Sequence, residues 1–392
     1  MKTMKLIATM MTLSMLAAAF AGCLGGDDDE DEKTTVKIGF LNPITGPLEP
    51  NAPVFTWSAN EAINDLNAMY TDYNFELIEQ DSGCDGAVAG PAAQTLVDSG
   101  VYAVVGAACS GASMAANGVL SAAGIPMISY ASTNPGLSDA SAYPMFYRNV
   151  PSDAIQGPAG ADMMTDAGVA DGALAVFGMT NDYGAGLADA VVDAWGSDKL
   201  CDVGRYDYAE TDTDFSAIAD QMAASTTCTA VYLSSYIADA ALIIEALNDA
   251  GWSGHIFGGD GPAGEGMYDE MEDDSLLNGM TVTQPRAGSS FGDFSERYDA
   301  NAPSGGIKAY DLTTYDGVMM VGMAAVNHNG VSADEGIKAT GSGYEGASGV
   351  INFLDNGDIG GNGYDICSYD GVDQYTCSKY WTAENGVATA TA

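Results

Sequence analysis

The feature that most constrains this chain is a repeated alternation of short apolar runs with longer amphipathic ones. Residues 36–41, 75–79, 101–105, 126–129, 173–177, 229–233 and 255–257 are short, apolar and rich in β-formers, as buried strands are. Between them, residues 54–69, 112–123, 186–195 and 239–250 carry the 3.6-residue period of helices packed on one face. Strand, helix and strand in succession make βαβ units, and these build a parallel sheet covered by helices on both faces. The expected fold class is α/β, with two doubly wound parallel-sheet lobes; 392 residues suffice for two cores. In such sheets the ligand crevice lies beyond the carboxyl ends of the strands, so function belongs to the loops that follow them.

Breaks in the rhythm locate the lobes. An extended stretch over 145–153 passes Pro151 and meets a helix start that Ser152 or Asp153 can cap. A second extended stretch, 279–285, stops at a proline, and the apolar helix over 310–327 returns to the first lobe. Residues 350–354, Asn356-Gly357 and the polar C-terminal stretch read as hairpins. The expected division is lobe 1 over 36–149 and 286–345 and lobe 2 over 150–285 and 346–392, joined by a multi-strand hinge.

Charge removes one class of function. Twelve Lys and Arg against 54 Asp and Glu leave a net charge of −42, which repels nucleic acid and suits a surface bathed in salt. The first 22 residues place Lys2 and Lys5 ahead of an apolar run that ends in Phe20-Ala21-Gly22-Cys23. This is the form of a signal peptide with a lipoprotein box, with Cys23 taking the lipid. An uncleaved membrane anchor is the other reading, because the run approaches spanning length. The acidic run that follows Cys23 cannot fold on itself, so 23–35 is expected to be a tether. With Cys23 lipidated, six cysteines remain for an oxidising compartment, and sequential pairing joins Cys84 with Cys109, Cys201 with Cys228 and Cys367 with Cys377. A zinc site is the alternative, but there is no CxxC, and His255 and His328 lie far from any cysteine pair in sequence. No metal or cofactor is expected.

The polar loops after strands carry the chemistry. Gly106-Ala107-Ala108-Cys109-Ser110-Gly111 opens a helix after a buried strand, so free N–H groups and the Ser110 hydroxyl form an anion cradle, unless Ser110 only caps its helix. No lysine follows the glycines, which excludes a Walker loop, and no dinucleotide fingerprint follows the first strand. Ser129-Tyr130-Ala131-Ser132-Thr133-Asn134 follows the next strand. In the second half Asn181-Asp182-Tyr183, Ser234-Ser235-Tyr236 and Gly258-Gly259-Asp260 each follow a strand, which places them on one sheet edge. Taken singly each is also an ordinary turn or packing sequence.

The order and wording of these segments resemble the type I periplasmic binding proteins, in particular the leucine/isoleucine/valine-binding branch. The resemblance runs from Lys37-Ile38-Gly39-Phe40 and Thr45-Gly46-Pro47 through 81–85, the 106–110 loop and Tyr147-Arg148-Asn149 with Asp153 to 346–358. It implies that Cys84 pairs with Cys109 and that Ser110, Ala131 and Thr133 hold the α-carboxylate and ammonium groups of an amino acid. Tyr183 and Tyr236 become second-lobe contacts, and Asp260 receives the ammonium across a one-residue gap, with Asp for the family's Glu. The chain departs from the family at an aromatic wall, where it has Leu48-Glu49-Pro50-Asn51 with Phe55 and Trp57 nearby. The implied protein is a monomeric, lipid-anchored extracytoplasmic binding protein that delivers an amino acid to the membrane permease of an ABC importer.

Other readings are a binder of amides, urea or other small polar solutes, and a ligand-sensing receptor domain. No apolar span follows Trp381, which argues against the receptor. A hydrolase using Ser110, Asp260 and His255 is disfavoured, since His255 begins a predicted strand and no Gly-x-Ser-x-Gly elbow occurs.

Overall fold

The computed structural model describes residues 33–390. The leader, Cys23 and most of the expected tether lie outside the described residues; the first strand begins at Thr34. The first half contains β1 (Thr34–Asn42), α1 (Ala52–Met69), β2 (Tyr73–Asp81), α2 (Gly86–Asp98), β3 (Ala103–Val105), α3 (Ser110–Ala122), β4 (Met127–Ser129) and β5 (Phe146–Arg148). These strands form one parallel sheet in the order β2-β1-β3-β4-β5. The chain then crosses, with the Ser152 side chain capping α4 (Asp153–Asp166) through the Ala154 N–H.

The second half continues with β6 (Leu174–Met179), α5 (Asp182–Trp195), β7 (Leu200–Tyr208), α6 (Ser216–Ala224), β8 (Ala230–Ser234), α7 (Ile237–Asp249), β9 (His255–Gly258), α8 (Gly266–Glu270) and β10 (Thr281–Pro285). After it come α9 (Phe294–Asn301), α10 (Lys308–Asn327), α11 (Ala333–Thr340), the hairpin β11 (Ser342–Gly346) and β12 (Gly349–Asn352), and β13 (Tyr364–Tyr369), β14 (Tyr375–Thr382) and β15 (Gly386–Thr389). The second sheet runs β15-β14-β13-β10-β9-β8-β6-β7. It is parallel from β7 to β10 and antiparallel from β10 outwards, so the C-terminal hairpins extend a doubly wound sheet along one edge.

Two apolar cores follow from the two sheets. Ile38, Phe40, Val104 and Ile128 anchor the first, and Val176, Phe177, Val231 and Leu233 the second. The sequence reading puts 346–392 with the second lobe, but Ala347 and Ile351 pack into the first core, and the chain joins the second sheet only from Tyr364. The cause is visible on α10, where Asp316 accepts hydrogen bonds from the Ala347 and Ser348 N–H groups, both at 2.8 Å, and holds the hairpin turn against that helix. Disulfides join Cys84 to Cys109, Cys201 to Cys228 and Cys367 to Cys377. Among the described residues no helix is long and apolar enough to cross a membrane.

Sixteen of the twenty residues of α10 are buried, which makes it a helix enclosed on all sides rather than an amphipathic one. It nevertheless carries two carboxyls. Burial pushes Asp316 up to about 6 and Asp311 up to about 8, and the Tyr298 hydroxyl bonded to Asp311 offsets only part of the cost. Unfolded, an aspartate releases its proton near pH ~4. The native state therefore holds more protons between the two values, and stability falls as pH rises through that window. Asp311→Asn should flatten this fall: between about pH 5 and pH 9 its urea midpoint should drop less than that of the wild type. Parallel curves for the two proteins would show that Asp311 is ionised throughout.

Candidate functional site

The cleft lies between the two cores at the carboxyl ends of the parallel strands. Ser110, Ala131, Tyr183, Tyr236 and Asp260 line one cavity, together with Leu48, Asn51, Phe55, Ala108, Cys109, Gly261, Ile307 and Tyr310. Thr133 is not among the lining residues; it lies buried. His255 stands exposed at the start of β9 while Asp260 follows its end, so these two do not converge with Ser110.

Ser110 is the first residue of α3, and no side chain caps that helix. The leading N–H groups of the helix therefore remain available to an anion, reinforced by the helix dipole. The Asn134 N–H donates to Ser110 Oγ at 3.2 Å, which leaves the hydroxyl hydrogen free to donate. Facing this end stands Asp260, 4% exposed. Tyr183 donates to its Oδ1 at 2.9 Å and Tyr310 donates to its Oδ2. Gly261 N–H donates to the Tyr183 oxygen at 2.9 Å, so the phenolic hydrogen is directed at the carboxylate. Tyr183 comes from α5 and Tyr310 from α10, so the carboxylate is gripped from both sides of the cleft. Tyr183 also stacks on Tyr236 at 5.1 Å, and the Tyr236 hydroxyl lies 3.7 Å from the Cys84 sulfur.

A second carboxyl, Asp153, is buried nearby at the start of α4, beside the Thr133 hydroxyl. Burial raises both groups above the usual carboxylate range; the charge of Asp260 adds to the shift at Asp153, while the tyrosine hydrogen bonds oppose it at Asp260. Hydrogen bonds to the ionised form favour ionisation, so the pair places its negative charge on Asp260 and its proton on Asp153.

Arg148 fixes the loop between these groups. Fully buried, it donates to the Ser132 and Asn134 carbonyls at 3.2 and 3.0 Å, to Ser138 Oγ at 2.7 Å and to Asp358 at 2.6 Å. The sequence reading named Arg148 and Asp153 as parts of a family segment and a helix cap without giving them these partners. It missed Tyr310, which lies in a helix that reads simply as apolar. Across the cleft mouth the two sides approach closely: a Cβ on Gly111 would sit 2.5 Å from Asp182 Oδ2, and one on Gly186 2.5 Å from Asn134 Nδ2.

Two α/β cores around a cleft lined from both sides define a ligand-binding protein of the type I periplasmic class. The chain belongs to the family described as receptor family ligand binding region, whose family model matches residues 57–372. A Leu/Ile/Val/Thr-binding protein of Salmonella typhimurium is 26% identical over 368 residues, 92% of this chain and 95% of that protein. The Leu/Ile/Val-binding protein homolog 3 of Brucella melitensis is 25% identical over 372 residues, 92% of this chain and 98% of that one. Among solved structures, a leucine-binding protein from Thermotoga maritima shares the fold at TM-score 0.76 with 23% identity, covering 89% of this chain and 99% of its own. A branched-chain amino acid transporter substrate-binding protein from Streptococcus pneumoniae, in complex with isoleucine, does so at 0.75 with 22% identity, covering 91% and 99%.

Removing one member of a buried ion pair strands the other charge. Arg148→Met should therefore lower unfolding free energy by about 3–5 kcal/mol in denaturant titration. Arg148→Met combined with Asp358→Leu should recover part of the loss. A double variant no more stable than the single one would locate the role of Arg148 in its carbonyl contacts.

Proposed function

We propose that this protein is the extracytoplasmic substrate-binding component of an ABC importer, capturing a small amino acid of branched-chain type by closing two lobes on it. The observation that carries the reading is the cavity itself. Anion donors at Ser110 and the start of α3 stand on one side, and the tyrosine-gripped Asp260 stands on the other. A zwitterion needs both: donors for its carboxylate and a negative partner for its ammonium in a place water does not reach. A carboxylate has capacity beyond two acceptor bonds, so Asp260 can keep its tyrosines and still accept from an ammonium. Because the two ends belong to different lobes, only the closed form satisfies both, and the ligand shifts the hinge by that differential affinity.

The lobes are those of the two cores, connected near 149–152, 286–293 and 353–363. Lipidation at Cys23 would hold the protein, as a monomer, at the outer face of the membrane, where a permease reads closure as occupancy. The binding names of the relatives support the ligand class, and binding without turnover is the reading for Ser110.

Two measurements test this. In calorimetry with leucine, isoleucine and valine, Asp260→Asn should weaken binding by about 2–5 kcal/mol, roughly 30- to 4,000-fold. Unchanged affinity in that variant, or wild-type binding confined to uncharged amides, would overturn the zwitterion reading. Gly186→Leu should still fold, since parting of the lobes relieves its contact with Asn134 and leucine is the better helix former. By propping the mouth open it should still weaken leucine binding by about tenfold or more. Full affinity in Gly186→Leu would mean that the ligand is held without closure.

A further inference from the structure

Capture of an amino acid brings one ammonium into a cleft that holds two buried carboxyls, Asp260 at 4% exposure and Asp153 with none. Among the described residues the cation that acts on Asp153 is Arg148, and its guanidinium is already bound to Asp358 at 2.6 Å. The other titratable groups around Asp153 are phenols that burial keeps neutral: Tyr232 on β8, Tyr183 on α5, Tyr236 just ahead of α7, Tyr310 on α10 and Tyr364 on β13. The charges therefore do not balance if both carboxyls ionise. The ammonium answers one of them, and the second is a negative charge shut away from water without a partner, which burial penalises heavily.

Asp153 also stands on the seam between the two halves. Its N–H donates to the Thr133 carbonyl at 2.8 Å, from the loop after β4, and the Thr133 hydroxyl lies beside its carboxyl. Tyr310 comes from the helix that packs into the first core, whereas Tyr232 and Tyr364 belong to the second. We infer that capture of the amino acid is coupled to the uptake of one proton by Asp153, so that the cleft closes on the ligand and a proton together. Parting the halves separates the groups that enclose Asp153, admits water and lets it ionise as an ordinary aspartate does, near pH ~4. Closure withdraws the water, and the proton comes from the surrounding buffer. Asp260 stays ionised, because Tyr183 and Tyr310 donate to it and the ammonium joins them. The sign follows by linkage: the closed complex holds the extra proton, so affinity is greatest at low pH and falls as pH rises. This rests on the amino-acid reading above and adds a second, ionic substrate to it.

Calorimetry of leucine binding to the full-length protein, in buffers of different ionisation enthalpy, counts the protons exchanged. Between about pH 6 and pH 8 the wild type should take up more than about half a proton per ligand, and its dissociation constant should rise by up to about tenfold per pH unit. Asp153→Asn keeps the shape of the protonated carboxyl and cannot ionise, so it should lose both the uptake and the slope. Less than half a proton throughout that range in the wild type would overturn the inference. So would uptake that persists in Asp153→Asn, since Asp260 would then be the group that titrates. Both results leave the amino-acid reading standing, whereas no binding of leucine, isoleucine or valine at any pH would overturn the two together. If circular dichroism shows that Asp153→Asn does not fold, the proton count of the wild type decides alone.

Discussion

A carboxylate taken out of water has to be met by donors or by positive charge, and the cleft is arranged around that requirement at Asp260. Tyr183 and Tyr310 reach it from opposite sides, so the group proposed to attract the ligand is also one on which the two lobes meet. Asp153 behind it is met by fewer donors than Asp260 and is cheapest to keep protonated, which spares the site a second buried charge. On the proposed reading, recognition and closure draw on one set of contacts.

On that reading the arrangement depends on stiff loops. Arg148 supplies the stiffness on one side, because a planar guanidinium with every edge committed fixes two carbonyls and a carboxylate at once. Its partner Asp358 lies in the connection between the β12 hairpin strand and β13, more than two hundred residues away in sequence. The binding loop and one of the hinge connections are therefore a single rigid assembly. The donors at the start of α3 need no comparable brace, since the helix positions them.

Much of this was legible in the residues. The strands at 36–41, 126–129 and 229–233 were visible because both their faces are buried and they read as continuous apolar runs. The strand Leu200–Tyr208 was not, because it is an edge strand in which Asp202, Arg205 and Asp207 interrupt the apolar pattern. The helix Gly86–Asp98 was hidden by its glycines and by Pro91, which stands inside the helix, where proline gives up an i→i−4 hydrogen bond. Polar residues after strands marked Ser110, Tyr183, Tyr236 and Asp260, since topology alone assigns such loops to the crevice. Tyr310 carried no such mark. Its significance comes from its contact with Asp260, 50 residues away, and no local pattern encodes that distance.

Each disulfide closes within a single lobe: Cys84 with Cys109 beside the first core, Cys201 with Cys228 and Cys367 with Cys377 in the second. Among the described residues none crosses the hinge. Covalent staples thus harden the two jaws while leaving the swing between them unfettered. A shift from oxidising to reducing surroundings would soften the halves before it altered how far they travel.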